Sequence, residues 1–569
     1  MQPLHRSVSA CKSPQTSNPL DGGNNIRTNE GSNDSNKDYS KETTSTKKMT
    51  LYIISLALLG LCVLLCTAGI ISKQTPVAIN TSPLIALVLM WLLIWWLGIL
   101  EGGQGCHVGL QPVDPEHYKD THSFTYKCTQ LAHSRDNLNR FIVGRQFFVV
   151  LAVFLLNLIC TCVADFVDIS GVPHLLMAGL VASGLAVMIV TVMLGQLAAE
   201  VNATNCMFDF VNSRIVWITT LMCLWVEASG LLHSVYLVQR FFGTAEVDEM
   251  GDCKVDKEKT TGQKVLFWTQ MVASCMMLVA SLAVTCDALC QVEGTMYPGL
   301  TNLSNFALFF CLVCFLGLLE AIQIAAFAVV KLPKDFVARN PAAEANCKMV
   351  FRGQNFKALL IGRQIGVTTS MFMLAKITTT KVDSNATSTF NSTLLGLEVP
   401  AAIHTVFNTG LPGALITTIV ASLWWRIAAA SFPIAFMGNP IVKLTIKLCL
   451  FLEATGVASA SWLLADVMRW LMGLKQDDYH LARMRTRSIG SDEELDKSDS
   501  NTPFLTEQSS NSDTAQTFSL SQSKTSRSRK CSMFHVQNTN SLELYNTSTE
   551  FTIIDLVPYV MDSTLNTPL

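Results

Sequence analysis

The chain has 569 residues, half of them hydrophobic, only 15% charged, and with a formal net charge of −2. Soluble domains carry roughly 25% charged residues spread through the sequence, whereas here the charges collect at the two ends and in a few loops. That distribution excludes an ordinary soluble protein, and the near-zero charge balance leaves no basic footprint for nucleic acid.

In chain order, residues 1–48 are polar and end in Lys47 and Lys48. They read as a disordered cytoplasmic segment with no cleavable signal, so the first span is expected to direct its own insertion. Apolar runs of roughly 20 residues, the length that crosses about 30 Å of hydrocarbon, fall at 51–71, 84–110, 141–163, 172–201, 215–240, 265–290, 304–330, 359–380, 401–428 and 441–470. This predicts an all-α integral membrane protein with about ten transmembrane helices. Helix breaks are expected at Gly410 to Gly413 and at Pro433. The tail beyond 473 is rich in Ser, Thr and Asn and reads as disordered. Ser488 and Ser491, between arginines and Asp492, Glu493 and Glu494, have the setting of a phosphorylation site, with an idle polar tail as the plainer reading.

Most of the 18 cysteines, among them Cys62, Cys66, Cys160, Cys162 and Cys223, lie inside apolar runs and read as small core hydrophobes. Cys311 and Cys314 have a CxxC spacing without a second ligand pair, which argues against zinc. Cys253 and Cys347 could pair if both face outward.

The chain contains itself twice. Ile142-Val143-Gly144-Arg145-Gln146 returns in the second half as Leu360-Ile361-Gly362-Arg363-Gln364. Glu101 and Gln104 return at nearly the same offset as Glu320 and Gln323. Phe210 to Gly230 aligns without gaps on Phe436 to Gly456, carrying Cys223, Glu227 and Gly230 onto Cys449, Glu453 and Gly456. This divides the chain into a first five-helix repeat (49–242), a connecting loop (243–264), a second five-helix repeat (265–472) and the tail (473–569). Five crossings per repeat would give the halves opposite orientations, an inverted-repeat plan, with both termini cytoplasmic. The loops 112–140 and 331–358 are both basic, which pulls against inversion because positive loops prefer one side. The sequons at Asn385 and Asn391 would then be cytoplasmic and unused.

An ionised side chain at mid-membrane costs at least about 2.5 to 3.5 kcal/mol and needs a reason to be there. Glu101, Glu320, Glu227 and Glu453, with Arg145 and Arg363, are therefore expected to line a central cavity. In Glu101-Gly102-Gly103-Gln104 the carboxylate and amide share one helix face, and the glycines are expected to loosen the helix and expose carbonyls to a cation. The second half has Glu320-Ala321-Ile322-Gln323, keeping the face and losing the glycines. The plainer alternative is that these side chains only tie helices together. The Gly-Arg-Gln strings supply donors suited either to an oxygen-rich solute or to a buried glutamate, or their arginines snorkel to the headgroups. The expected substrate-binding set is Glu101, Gln104, Gly144, Arg145, Gln146, Glu320, Gln323, Gly362, Arg363 and Gln364. Glu101, Glu320, Glu227 and Glu453 are the candidates for holding a coupling cation. Asp209, whose counterpart is Ala435, reads as an interfacial cap.

The two Glu-x-x-Gln and two Gly-Arg-Gln strings, with Phe141 to Gln146, Gly195-Gln196-Leu197, Cys206-Met207-Phe208-Asp209 and Gly230-Leu231-Leu232-His233-Ser234-Val235-Tyr236, resemble over about residues 50–470 the silicon transporters of diatoms and other silicifying protists, a family with a doubled EGxQ and GRQ signature. Ala321 and Phe208 depart from the family pattern, and the tail lacks the heptads common in diatom members. The resemblance implies uptake of silicic acid, coupled in many members to a sodium ion, across a plasma or silicifying-vesicle membrane, by a protein that is not an enzyme and needs no cofactor. A homo-oligomer is compatible with it. A carrier or channel for another neutral hydroxylated solute such as borate is the nearest alternative, and a membrane-embedded acid/base enzyme a more distant one.

Overall fold

The computed structural model describes residues 33–111, 113–161, 178–242, 261–290, 302–330, 332–378, 392–394, 397–399 and 410–477. Cys253, Asn385, Asn391, Ser488 and Ser491 lie outside them. The chain divides into two units, residues 1–51 and 52–569, and every side chain discussed below belongs to the second.

The main described elements are α1 (Asn33–Ile71), α2 (Pro83–Gly109), α3 (Ser123–Ala132), α4 (Asn137–Cys160), α5 (Leu185–Asn205), α6 (Met207–Val211), α7 (Arg214–Ala228), α8 (Ser234–Phe242), α9 (Thr261–Cys290), α10 (Asn302–Val330), α11 (Pro341–Val350), α12 (Asn355–Thr378), α13 (Leu411–Ser431), α14 (Pro433–Met437), α15 (Pro440–Ala454) and α16 (Ser461–Met472), with short helical turns at Pro76–Asn80, Pro115–Tyr118, Ala178–Ala182 and Lys334–Ala338. A two-stranded antiparallel pair, Ser392–Leu394 with Leu397–Val399, is the one non-helical element among the described residues. Helix bounds recur with the motifs. The offset that carries one Gly-Arg-Gln string onto the other carries α3 and α4 onto α11 and α12, and the offset of the Phe210–Gly230 stretch carries α5, α6 and α7 onto α13, α14 and α15.

Eight of these helices are long and apolar enough to cross a membrane: Met49–Ile71, Pro83–Gly109, Asn137–Cys160, Leu185–Asn205, Thr261–Asp287, Leu303–Val330, Asn355–Thr378 and Leu411–Ser431. The expected spans 215–240 and 441–470 are not single helices. Each is broken, α7 from α8 and α15 from α16, because Gly230 and Gly456 adopt left-handed φ values of 87° and 72°. Glycine at this position ends a helix at no steric cost and folds the chain back over its last carbonyls.

The breaks are covered reciprocally. Ser55 of α1 donates to the Val457 carbonyl at 2.5 Å and accepts from the Ala460 amide at 3.1 Å. Ser274 of α9, in the other half, donates to the Leu231 carbonyl at 2.7 Å and accepts from the Ser234 amide at 3.0 Å. Each first helix thus satisfies the broken backbone of the other half. Ser55→Ala and Ser274→Ala should each lower stability by about 1–3 kcal/mol, the cost of an unsatisfied buried donor, measured as a fall in apparent Tm of the purified protein.

The core is the packing of α2 on α4 and α5, of α10 on α12 and α13, and of α4 on α12. Both α5 and α13 contain a π-helical turn at matched positions, Thr191–Leu197 and Thr417–Leu423. Such turns rotate the downstream helix relative to its upstream half. The Thr191–Leu197 turn packs on α2 and α12, and the Thr417–Leu423 turn on α10 and α4.

Three expectations are corrected here. The segment before the first span is not wholly without structure, since α1 begins at Asn33. The start of the tail is likewise ordered: Asp477 accepts from the Met207 and Phe208 amides at 2.9 and 3.2 Å, and Asp209 accepts from the Lys475 amide at 2.7 Å and pairs with His122 at 3.0 Å. Asp209 is therefore a latch for the chain leaving α16. Asp477→Ala removes the acceptor at the start of α6 and should cost about 0.5–2 kcal/mol, with the latched segment becoming open to protease. Finally, α2 runs unbroken through Glu101 to Gln104, so its glycines expose no carbonyls. Gly102 instead admits the Phe210 ring, which a Cβ there would strike.

Cys62, Cys106, Cys128, Cys206, Cys223, Cys347 and Cys449 are buried thiols outside any disulfide. Outside the spans, burial pushes Cys128 up to about 12 and Cys347 up to about 11. Cys206 also reaches about 11, through burial and the nearby Asp477 carboxylate. These thiols stay protonated at neutral pH, the unreactive form.

Candidate functional site

Gly144 and Gly362 set the site by letting helices touch. A Cβ on Gly144 would run into the Cys223 carbonyl oxygen of α7, and one on Gly362 into the Cys449 carbonyl oxygen of α15. Their faces are filled by a neighbouring backbone, which leaves no room for a ligand and makes them positioning residues rather than part of the expected binding set. The next residues, Arg145-Gln146 and Arg363-Gln364, are all buried.

In the first half, Arg145 Nη1 donates to Glu101 Oε2 at 2.6 Å and Nη2 to Gln146 Oε1 at 3.0 Å. In the second, Arg363 Nη1 donates to Glu320 Oε2 at 3.2 Å and Nη2 to Gln364 Oε1 at 2.7 Å. Gln146 Nε2 then donates across the halves to Glu320 Oε1 at 3.3 Å. Six residues of the expected set thus form one connected network, at the contact of α4 with α12. The second ion pair is the drier, with side chains 8% and 6% exposed, while Glu101 is 15% exposed. Charges in such surroundings persist only when paired and hydrogen-bonded.

Gln104 and Gln323, each three residues beyond a network glutamate, are half-buried and make no hydrogen bond to another described residue. The Nε donors of Arg145 and Arg363 are buried and without an acceptor, as are the hydroxyls of Thr417 and Ser422 in the second π-helical turn. Buried donors in native proteins nearly always find a partner. The two Nε donors are a matched pair, one in each half, whereas the two orphan hydroxyls belong to the second half alone among the described residues.

The four cation candidates part company. Glu101 and Glu320 are held by arginines, as above. Glu227 lies outside the network, accepting from Arg140 Nε at 2.5 Å and from the Tyr236 hydroxyl at 2.9 Å. Its counterpart Glu453 is half-buried and has no ion pair among the described residues, because Arg140 and Tyr236 are matched there by Ala358 and Trp462. Trp462 carries the Lys357 ammonium over its ring at 4.1 Å. The acids were expected to share one cavity, and α7 and α15 place this pair elsewhere.

Sequence reasoning missed three bonded members, Gln196, Thr368 and Arg426, and the nearby Glu200. Gln196, on the first π-helical turn, donates to Glu101 Oε1 at 3.5 Å and accepts from the Thr368 hydroxyl at 2.6 Å. Arg426 donates from Nη1 to Gln146 Oε1 at 3.3 Å. Glu200, on the turn after Gln196, lies within electrostatic reach of Glu101, Arg363 and Arg145. Arg426 and Glu200 were visible as ionised residues at the ends of apolar spans, and Gln196 within one. Among the described residues no group of three or more His, Cys, Asp or Glu side chains could hold a metal ion.

A family model described as Silicon transporter matches residues 43–554, whereas no curated protein and no solved structure matches the chain. That range takes in every span and every site residue above, and this multi-pass membrane protein belongs to the silicon transporter family.

Proposed function

We propose that the chain carries silicic acid across the membrane, coupled to a sodium ion, by alternating access around the network of Glu101, Arg145, Gln146, Glu320, Arg363 and Gln364. The observation that carries this reading is the set of uncommitted groups beside two internally neutralised ion pairs. Silicic acid is neutral near pH 7 and presents four hydroxyls, each a donor and an acceptor. The orphan Nε donors and the free amides of Gln104 and Gln323 suit such a solute, and the balanced Glu101–Arg145 and Glu320–Arg363 pairs neither repel nor over-bind it. A neutral solute gains nothing from the membrane potential. A co-transported cation would gain about 2.3 kcal/mol per 100 mV.

The ten-span, two-repeat plan with inverted halves belongs to this reading. The recurring helix bounds, the exchanged serine caps at the two breaks, and the paired π-helical turns support it. α7–α8 and α15–α16 then cross as broken helices, the usual place for irregular backbone in transporters. In the mechanism, a solute hydroxyl replaces the 3.3 Å Gln146–Glu320 contact that joins the halves, and losing that link lets one half rock against the other. The plasma membrane is the expected location.

Germanic acid uptake into vesicles holding the purified protein, with and without a sodium gradient, tests the reading. Concentrative uptake that needs the gradient supports it. Uptake indifferent to sodium points to a channel, and preference for borate over germanic acid replaces the solute. Gln104→Leu and Gln323→Leu should each raise the half-saturating germanic acid concentration roughly 2- to 10-fold, the effect of one neutral hydrogen bond, with the folded yield unchanged.

A further inference from the structure

The two halves supply matching glutamates, arginines and glutamines to the network, and at one matched position they supply opposite charges. Glu200 of α5 aligns with Arg426 of α13, at the same offset that carries Phe210 to Gly230 onto Phe436 to Gly456, and each stands on the turn following a π-helical segment. With Glu101–Arg145 and Glu320–Arg363 each self-neutralised, these two residues, among the described ones, give the centre a polarity, negative on the first-half helix and positive on the second-half helix.

Their bonding differs as well. Arg426 is tied to Gln146 at 3.3 Å. The Glu200 carboxylate makes no hydrogen bond or ion pair with any described residue, while its backbone carbonyl accepts from the Thr204 hydroxyl; the side chain sits in the field of Glu101, Arg145 and Arg363 from α2, α4 and α12. On α16, which also packs on α5, Asp466 and Arg469 are paired with each other. Two residues beyond Glu200, Asn202 is 1% exposed with neither its amide nitrogen nor its oxygen bonded. The matching turn of α13 carries Arg426 and Ala428 instead. Asn202, two residues on in the same helix, points to a different face from Glu200, so its orphan amide is a separate feature, and the Glu200 carboxylate is the uncommitted acceptor toward the network.

Resting on the transport reading above, we infer that Glu200, rather than Glu101, Glu320, Glu227 or Glu453, takes the single monovalent cation, a sodium ion or a proton, that couples to solute. The other acids are excluded by their surroundings. Arginines occupy Glu101, Glu320 and Glu227, and Glu453 lies outside the charged network. Cation entry at Glu200 neutralises the negative end of the centre and leaves Arg426 as a net positive charge beside Gln146, so loading is felt at the bond joining the halves.

The test is thermal stability of the purified full chain in detergent. Apparent Tm is followed against sodium chloride, with choline chloride holding ionic strength constant, and against pH in choline alone. Wild type and Glu453→Gln should show a saturable rise with sodium, Glu200→Gln should lose it, and Glu200→Asp should need at least about 10-fold more sodium, as expected for a weakened charged contact. A pH-dependent stability in choline, without a sodium response and absent in Glu200→Gln, identifies the cation as a proton and supports the site. A sodium response in Glu200→Gln equal to wild type overturns the inference, as does wild type indifferent to both cations. Should Glu200→Gln fail to fold, an unchanged sodium affinity in Glu200→Asp overturns it equally. Germanic acid is titrated separately. A cation response lost in Glu200→Gln, with no germanic acid response in wild type, keeps the cation site and removes the silicic acid reading.

Discussion

Glu320→Gln is expected to abolish germanic acid uptake, and Arg363→Gln to do the same. Glu320 is 5% exposed and accepts from Arg363 at 3.2 Å and from Gln146 at 3.3 Å, so it holds both the second-half ion pair and the bond between halves. Removing its charge strands a buried guanidinium whose Nε already lacks an acceptor. Breaking one partner of a buried pair costs about 3–5 kcal/mol, whereas removing both charges together costs far less. The double variant Glu320→Gln with Arg363→Gln should therefore regain most of the apparent Tm lost by either single change while still failing to take up germanic acid. Uptake returning along with stability would show that the pair is structural only. Glu101→Gln should behave like Glu320→Gln in transport yet lose less stability, because Glu101 is the more exposed of the two and Gln196 remains beside it. Both variants should keep the sodium response in Tm, which sets them apart from Glu200→Gln.

Gly362→Ala and Gly144→Ala are expected to be as damaging, by a different route. One added methyl group would collide with the backbone carbonyl of Cys449 or Cys223, and backbone cannot swing aside as a side chain can. The helix pair must part by more than a few tenths of an ångström. Overpacking of this kind costs about 1–3 kcal/mol and occasionally more, and it displaces Arg363 or Arg145, the very next residues. A displacement of about 1 Å at a positioned group can cost 10²-fold in rate. The expected result is folded protein with a lower apparent Tm and uptake reduced by two orders of magnitude. A control, Gly103→Ala, where a Cβ would meet nothing within 4 Å, should leave the fold intact. Normal uptake in Gly362→Ala would show that the close approach of α12 to α15 does not position the site.

Much of the site was legible because polar residues are conspicuous in apolar runs. Glu101, Arg145, Gln146, Glu320, Arg363 and Gln364 could be singled out by their cost alone, and their recurrence in one order linked them into two sets. The same argument also selected Glu227, which the structure gives to Arg140 and Tyr236. Cost says that a buried charge needs a partner without naming the partner. Gln196, Glu200 and Arg426 were passed over because their span repeats less of its sequence. The π-helical turns that set which way those residues face leave no mark in a helical hydrophobic periodicity.

Membrane class, most of the apolar helices, the doubled order of motifs and the family could all be read along the chain. These rest on composition and local spacing, since a helix must be apolar over its length to enter hydrocarbon and satisfies its own backbone. Other features emerged only on folding: the expected spans 215–240 and 441–470 break at Gly230 and Gly456, serines of the opposite halves cap those breaks, and the Gly-Arg-Gln glycines admit a neighbouring helix. Folding likewise paired Glu101 with Arg145, joined the halves through Gln146, and left the Glu200 carboxylate without a partner among the described residues. Which buried charges meet depends on how close helices approach and on their rotation about their axes, and both are set by contacts between residues far apart in the chain.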